Sequence, residues 1–193
     1  MCMSRWVAAG VGMIVGLCCG TSNTWAFSAS YDQRITQGRQ VIEGKVVMQD
    51  QEFRMDEDVE GQQMVTIRNR SGVYSYIPRE HMVIKVNELN ISQQPIQHAD
   101  NYQAYLQEHQ AQRMGTETVA GHTCDVYRFT DPAAGGAVTA WVWTEKQFPV
   151  KMEMAGAIIE LSNIQLGIAV PQDTFQLPSG VQVMDMGALL PSQ

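Results

Sequence analysis

"VIEGKVVMQDQEFRMDEDVEGQQMVTIRNRSGVYSYIPREHMVIKVNE", running from Val41 to Glu88, decides the fold class. It divides into short segments rich in Val, Ile, Tyr and Thr, separated by the polar turns "DQ", "EG", "SG" and "RE". Such punctuation marks consecutive antiparallel hairpins. Within the segments side chains alternate: Phe53 and Met55 against Arg54 and Asp56, and Met82, Ile84 and Val86 against Val83 and Lys85. A period of two sends successive residues to opposite faces of a sheet.

One later stretch breaks the alternation. In "QHADNYQAYLQEHQAQRMG", Gln97 to Gly115, the apolar positions are Ala99, Tyr102, Leu106 and Met114. Their spacing and the scarcity of β-branched residues predict an amphipathic helix. Asp100 or Asn101 is placed to cap its start, and Gly115 to stop it. Strands then resume in "ETVAGHTCDVYRFTD", "AVTAWVWTE", "FPVKMEMAG" and "AIIELSNIQLG", and "VPQDTFQLPSGVQVMDM" adds a Pro-bounded turn and a last strand. With 193 residues, 45% of them hydrophobic and 17% charged, the composition is that of one folded globular domain with its own core. The expected architecture is mainly β with a helix inserted mid-chain, an α+β domain over 27–186, followed by a disordered tail, 187–193.

The first 26 residues have a different character. Arg5 is followed by an apolar run from Trp6 to Cys19, a polar "GTSNT", and Thr24-Trp25-Ala26. That order matches a secretory signal peptide cut after Ala26, with Ala29 as a second site. The apolar run falls short of the ~20 residues a membrane span requires. Cys18 and Cys19 raise the alternative of a lipid-modified N-terminus, but Leu17 directly precedes Cys18, where such sites carry a small residue. Cleavage would leave Cys124 as the one cysteine, so no internal disulfide could form. It would also remove Arg5, moving the net charge from −7 to −8. An acidic chain is a poor partner for nucleic acid or an anionic membrane.

No catalytic pattern competes with this. His122 and Cys124, two apart on a strand, share a face and a thiol–imidazole contact is conceivable, but no helix start lies upstream and no Asn or Asp context suggests a triad, so a small apolar filler is the preferred reading. Neither His98 and His109 nor any other histidine pair has the spacing of a helical zinc site, and His98 and His109 read as solvated. Asp56, Glu57, Asp58 and Glu60 lack the ligand spacing of a calcium loop and read as an acidic hairpin tip. Nucleophile-elbow, phosphate-loop and dinucleotide signatures are missing. The expectation is a non-enzymatic protein with no cofactor and no metal. What is distinctive is apolar and soft: nine methionines after residue 26, including Met55, Met64, Met82, Met152 and Met154, together with the pairs Tyr74/Tyr76 and Trp141/Trp143. They read either as core or as the wall of a site for variable hydrophobic ligands.

"GKVVMQDQEFRMDED…QQMVTIRNRSGVYSYIPREHMVIKV", "AWVWTEKQFPVKMEM" and the closing "DTFQLPSGVQV" together resemble the periplasmic lipoprotein-carrier (LolA/LolB-like) superfamily over most of Glu43 to Val183. The resemblance implies a curved, incomplete antiparallel β-barrel with a helical lid and a cavity for acyl chains. It implies a periplasmic carrier or binder of a lipidated or other hydrophobic ligand, acting in outer-membrane lipoprotein or lipid traffic. An alternative is a lipid-sensing or scaffold module that acts through a membrane-anchored partner protein. Two features depart from the family: the long N-terminal helix has no counterpart, and Gln49 stands where the family has a basic residue. The predicted ligand wall is Phe53, Met55, Tyr74, Tyr76, Trp141, Trp143, Met152 and Met154 under a lid carrying Tyr102 and Leu106, in a monomer.

Overall fold

The computed structural model describes residues 27–59, 61–86 and 95–185. The expected signal peptide and the tail from Gly187 lie outside them. Six strands come first: β1 (Ser28–Gln37), β2 (Gln40–Gln49), β3 (Glu52–Val59), β4 (Gln62–Asn69), β5 (Gly72–Ile77) and β6 (Met82–Val86). A 3-10 segment (Pro95–Asn101) leads into the helix α1 (Tyr102–Glu108). Then follow β7 (Gln112–Val119), β8 (His122–Asp131), β9 (Gly136–Trp143), β10 (Phe148–Met154), β11 (Ala157–Leu166) and β12 (Gln182–Asp185). All twelve strands join one sheet in the order β12-β6-β5-β4-β3-β2-β1-β11-β10-β9-β8-β7. The sheet is large, curved and open.

The hairpins form where the turn residues dictate. β7–β8 turns at Ala120-Gly121 (φ 49° and 82°) and β10–β11 at Ala155-Gly156 (φ 41° and 77°). Two successive residues with positive φ match the right-handed twist of the flanking strands, and a glycine takes the second position without strain. β1 holds the two meanders together, pairing antiparallel with β2 from Ser28–Gln49 to Gln37–Gln40 and with β11 from Ala29–Leu166 to Gln37–Ala157. Short strands are expected from Ser28 onward, but the sequence delimits none before Val41, and the strand left without bounds stands at the centre of the sheet. After β11 the chain crosses the outer face, burying Phe175 against Val65 and Ile67, and Asn69 donates to the Phe175 carbonyl at 3.0 Å. β12 then adds to β6 in parallel, so the sheet is not wholly antiparallel.

The helix is shorter than its periodicity predicted. α1 has seven residues, begins at an Asn101 cap whose side chain accepts from the Ala104 N–H, and ends at Glu108. The last three predicted helical residues, Gln112 to Met114, and the predicted stop Gly115 belong to β7, where Gly115 follows a bulge. Met114 is 55% exposed instead of facing a core. Pairing with β8 overrides the local helical pattern here.

α1 lies on one face of the sheet, the inner face, and forms the main core with Ala29, Tyr31, Met48, Phe53, Phe129 and Met152. Register determines which other residues share this face. Gly44 is one: it stands opposite Gln33 of β1 and Glu57 of β3. A Cβ at residue 44 would lie 2.9 Å from the Asp56 carbonyl oxygen and 3.1 Å from the Glu57 Cβ. Gly44→Ala should therefore force the β2–β3 backbones apart and cost about 1–3 kcal/mol, read as a lowered midpoint in urea unfolding.

Candidate functional site: the inner face of the sheet

Antiparallel partners point to the same side, so the inner face can be traced strand by strand. Phe53 stands opposite Arg68, and Arg68 opposite Val73; Met55 stands opposite Thr66, and Thr66 opposite Ser75. Ser75 stands opposite Ile84 and Ile77 opposite Met82, and Ile84 pairs with Met184 in β12. This wing of the inner wall carries Met55, Met64, Ile77, Met82 and Ile84 half-buried and Met184 at 37% exposure. On the other wing Met152 and Met154 stand opposite Ile159 and Ala157.

The ten predicted ligand residues divide by this register. Phe53, Tyr102, Leu106 and Met152 are buried together in the helix–sheet core, and Met55 and Met154 pack at its margin. The Tyr102 hydroxyl lies 3.4 Å from the Met152 sulfur. Tyr74 and Tyr76 are on the opposite face, standing across from Ile67 and Val65. Tyr76 joins those two under the C-terminal segment. Trp141 and Trp143 also face outward, in a separate cluster with Cys124, Val126 and Val150. The tyrosine and tryptophan pairs are therefore removed from the inner wall: the strand containing each pair was read one residue out of register, which exchanges faces. Tryptophan emission consequently does not report directly on the inner wall.

Cys124 is fully buried in that outer cluster, and its thiol lies 3.4 Å from the His122 carbonyl oxygen as a donor. Burial pushes the thiol pKa up, with a smaller upward contribution from Asp125, against a lowering backbone hydrogen bond at Val119. The His122 ring lies against Trp143, tilted by 31° with centroids 4.0 Å apart. The thiol is thus kept protonated and packed, which is the filler role read from the sequence.

The acidic hairpin also needs correction. Asp56 and Asp58 are exposed and Arg54 pairs with Asp56 at 2.7 Å. Glu57 is not a tip residue: it turns to the inner face and is 9% exposed. Among the described residues no group of three or more His, Cys, Asp or Glu side chains is placed to hold a metal.

The best-tied part of the inner face was not singled out in the sequence. The Tyr105 hydroxyl of α1 donates to the Asp131 carboxylate at 2.5 Å, at the end of β8, and Asp131 also accepts from the Ala133 N–H at 2.8 Å. His98 and His109 flank the Tyr105 ring, with centroids 4.5 and 4.4 Å away, and His109 Nε2 is 3.6 Å from Asp131. His109 also lies 5.6 Å from Phe129. His98 is exposed, as read, but His109 is half-buried by these rings. Gln103 of α1 further hydrogen-bonds Gln147 in the β9–β10 turn. A buried carboxylate two strands away from the helix in sequence carries no local signature, so only tertiary pairing reveals it.

Burial pushes the Asp131 carboxyl up, but the Tyr105 and Ala133 hydrogen bonds and the His109 charge together hold it below the ordinary value. A carboxyl lowered in the folded state stabilises above its unfolded pKa, and that contribution disappears as pH falls through the folded value. Stability should therefore drop at acid pH, from about pH 4 downward, and Asp131→Asn should flatten this acid limb. Tyr105→Phe should cost about 1.5–3 kcal/mol at neutral pH, the range of a hydrogen bond to a charged acceptor, measured by thermal or urea unfolding.

No protein-family model matches the sequence, and no curated protein matches it. Solved structures do share the fold. An uncharacterised conserved protein from Thermus thermophilus superposes with a TM-score of 0.60 at 9% identity, covering 82% of this chain and 90% of that one. MucB, solved in complex with MucA from Pseudomonas aeruginosa, superposes with a TM-score of 0.53 at 12% identity, covering 82% of this chain. The match spans 58% of the MucB chain. MucB without MucA gives 0.51 at 11% identity. At these identities the likeness is one of fold: the curved open sheet of this chain is an architecture it shares with MucB and the Thermus protein.

Proposed function

We propose that this protein is an exported, periplasmic binder or carrier of a hydrophobic, acyl-bearing ligand, held against the inner face of the sheet, and that it catalyses no reaction. The observation that carries this reading is the inner wall of β3–β6 and β12. There Met55, Met64, Met82 and Met184 are incompletely covered by the core that α1 forms. A wall of unbranched, polarisable side chains adapts to alkyl chains of varied shape. Each methylene removed from water contributes about 0.8 kcal/mol, so a long chain reaches micromolar affinity after ordering costs. The resemblance to lipoprotein carriers supports the same ligand class, and the packed, protonated Cys124 thiol speaks against nucleophilic chemistry.

A second reading is a module acting through a partner protein. It draws on the fold shared with MucB, a protein solved with MucA bound. It also draws on β7, an edge strand with no second strand neighbour among the described residues, which exposes Met114. An unpaired edge of this kind accepts an added strand.

Displacement of a fluorescent fatty-acyl probe tests the leading reading. Met55→Asp and Met82→Asp, each checked by circular dichroism, should weaken probe binding about tenfold or more, the effect of a buried charge on an apolar wall. Val41→Asp, at an exposed position on the outer face, should leave it unchanged. Equal affinities in all three would overturn the carrier reading.

A further inference from the structure

Across an otherwise apolar part of the inner face runs one polar row. Gln33 of β1 stands opposite Gly44 of β2, and Gly44 opposite Glu57 of β3. Gln33 is flanked by Leu161 across β11 and by Tyr31 and Ile35 along its own strand, all members or neighbours of the main core. Yet Gln33 is only 4% exposed, and among the described residues its carboxamide donates to the Met55 sulfur at 3.6 Å. A thioether is a weak acceptor, so the Gln33 N–H is held only weakly there. Among the described residues no cation pairs with Glu57. Its neighbours Arg34 and Arg54 point to the outer face and pair there with Glu43 and Asp56. The cation of the inner wing, Arg68, lies over the Phe53 ring and donates to the Gln51 carbonyl.

Between these two polar groups Gly44 carries no side chain and brings β2 close to β3, where a Cβ would collide with the β3 backbone. Here an amide and a carboxyl face the same side-chain-free position on the wall read above as ligand-binding.

We propose that the Gln33–Gly44–Glu57 row is a hydrogen-bonding subsite that holds the uncharged, hydroxyl-bearing head of an amphiphile, its alkyl chain lying along the methionine wing. A hydroxyl both donates and accepts, so it serves the Glu57 carboxyl and the Gln33 amide together. Burial already pushes the Glu57 carboxyl above its ordinary value, partly offset by a hydrogen bond from Thr66. An anionic head placed there would meet a second acid and no cation. The subsite therefore selects against free fatty acids. This inference rests on the carrier reading and adds the chemistry of the ligand head to it.

Calorimetric titration of the purified protein, expressed from its full-length gene, tests both levels with two probes of equal chain, 1-monooleoylglycerol and oleate, at neutral pH. The monoacylglycerol should bind about tenfold tighter than oleate, the difference expected for one well-placed hydrogen-bonded head. Glu57→Gln, which keeps the shape, should tighten oleate and bring the ratio to within about threefold. Gln33→Met should weaken the monoacylglycerol while leaving oleate unchanged, with thermal unfolding confirming that both variants fold. If both probes bind equally well and neither variant alters the ratio, the polar subsite is wrong and the carrier reading stands. If neither probe binds the unaltered protein, the carrier reading fails and the subsite with it.

Discussion

Everything in this fold hangs on the pairing of β1 with β11. The N-terminal strands β1–β6 form one meander and β7–β11 another, each assembled from short-range hairpins. Their union into one sheet runs through the ladder from Ala29–Leu166 to Gln37–Ala157, between residues more than a hundred positions apart. That junction also brings Ala29 and Tyr31 under α1 beside Phe148 and Met152, so the same strand closes the sheet and floors the core. Closing so long a loop is entropically costly and slow, and the aromatic contact of Tyr31 with Phe148, centroids 5.8 Å apart, helps to offset it.

Much of this was legible. The turns "DQ", "EG", "SG" and "RE" fixed β2 to β6 almost to the residue, and Asn101 proved to be the helix cap. The faces were legible too, had the pairing been followed across each hairpin. With β3 ending at Val59 and β4 starting at Gln62, Phe53 must stand opposite Arg68, and the next hairpin then puts Val73, not Tyr74, on the same side. Arg68 is a charged partner for Phe53 on this face, and its guanidinium lies over the ring, 5.6 Å from the centroid. Apolar character alone could not separate the faces because both are partly covered, the inner by α1 and the outer by the segment carrying Phe175.

Two losses have a different origin. The stretch Gln112–Gly115 has no strong strand signal, and it becomes strand because β8 offers it a ladder. Asp131 and Tyr105 are separated by 26 positions and meet only because α1 folds back onto β8. The result is a helix anchored at its middle by a buried carboxylate and at its side by Gln103, lying over β8–β10 and β1, while the β3–β6 wing keeps its methionines partly open. The asymmetry between a sealed half and an open half underlies the proposed binding role of the inner face.

Extraction and mass spectrometry of the small molecules that co-purify with the natively expressed protein test that account most directly. It predicts an acyl-chain amphiphile in near-stoichiometric amount, lost from the Met82→Asp variant. A folded protein that carries no such compound, and whose extract matches that of Met82→Asp, would contradict it.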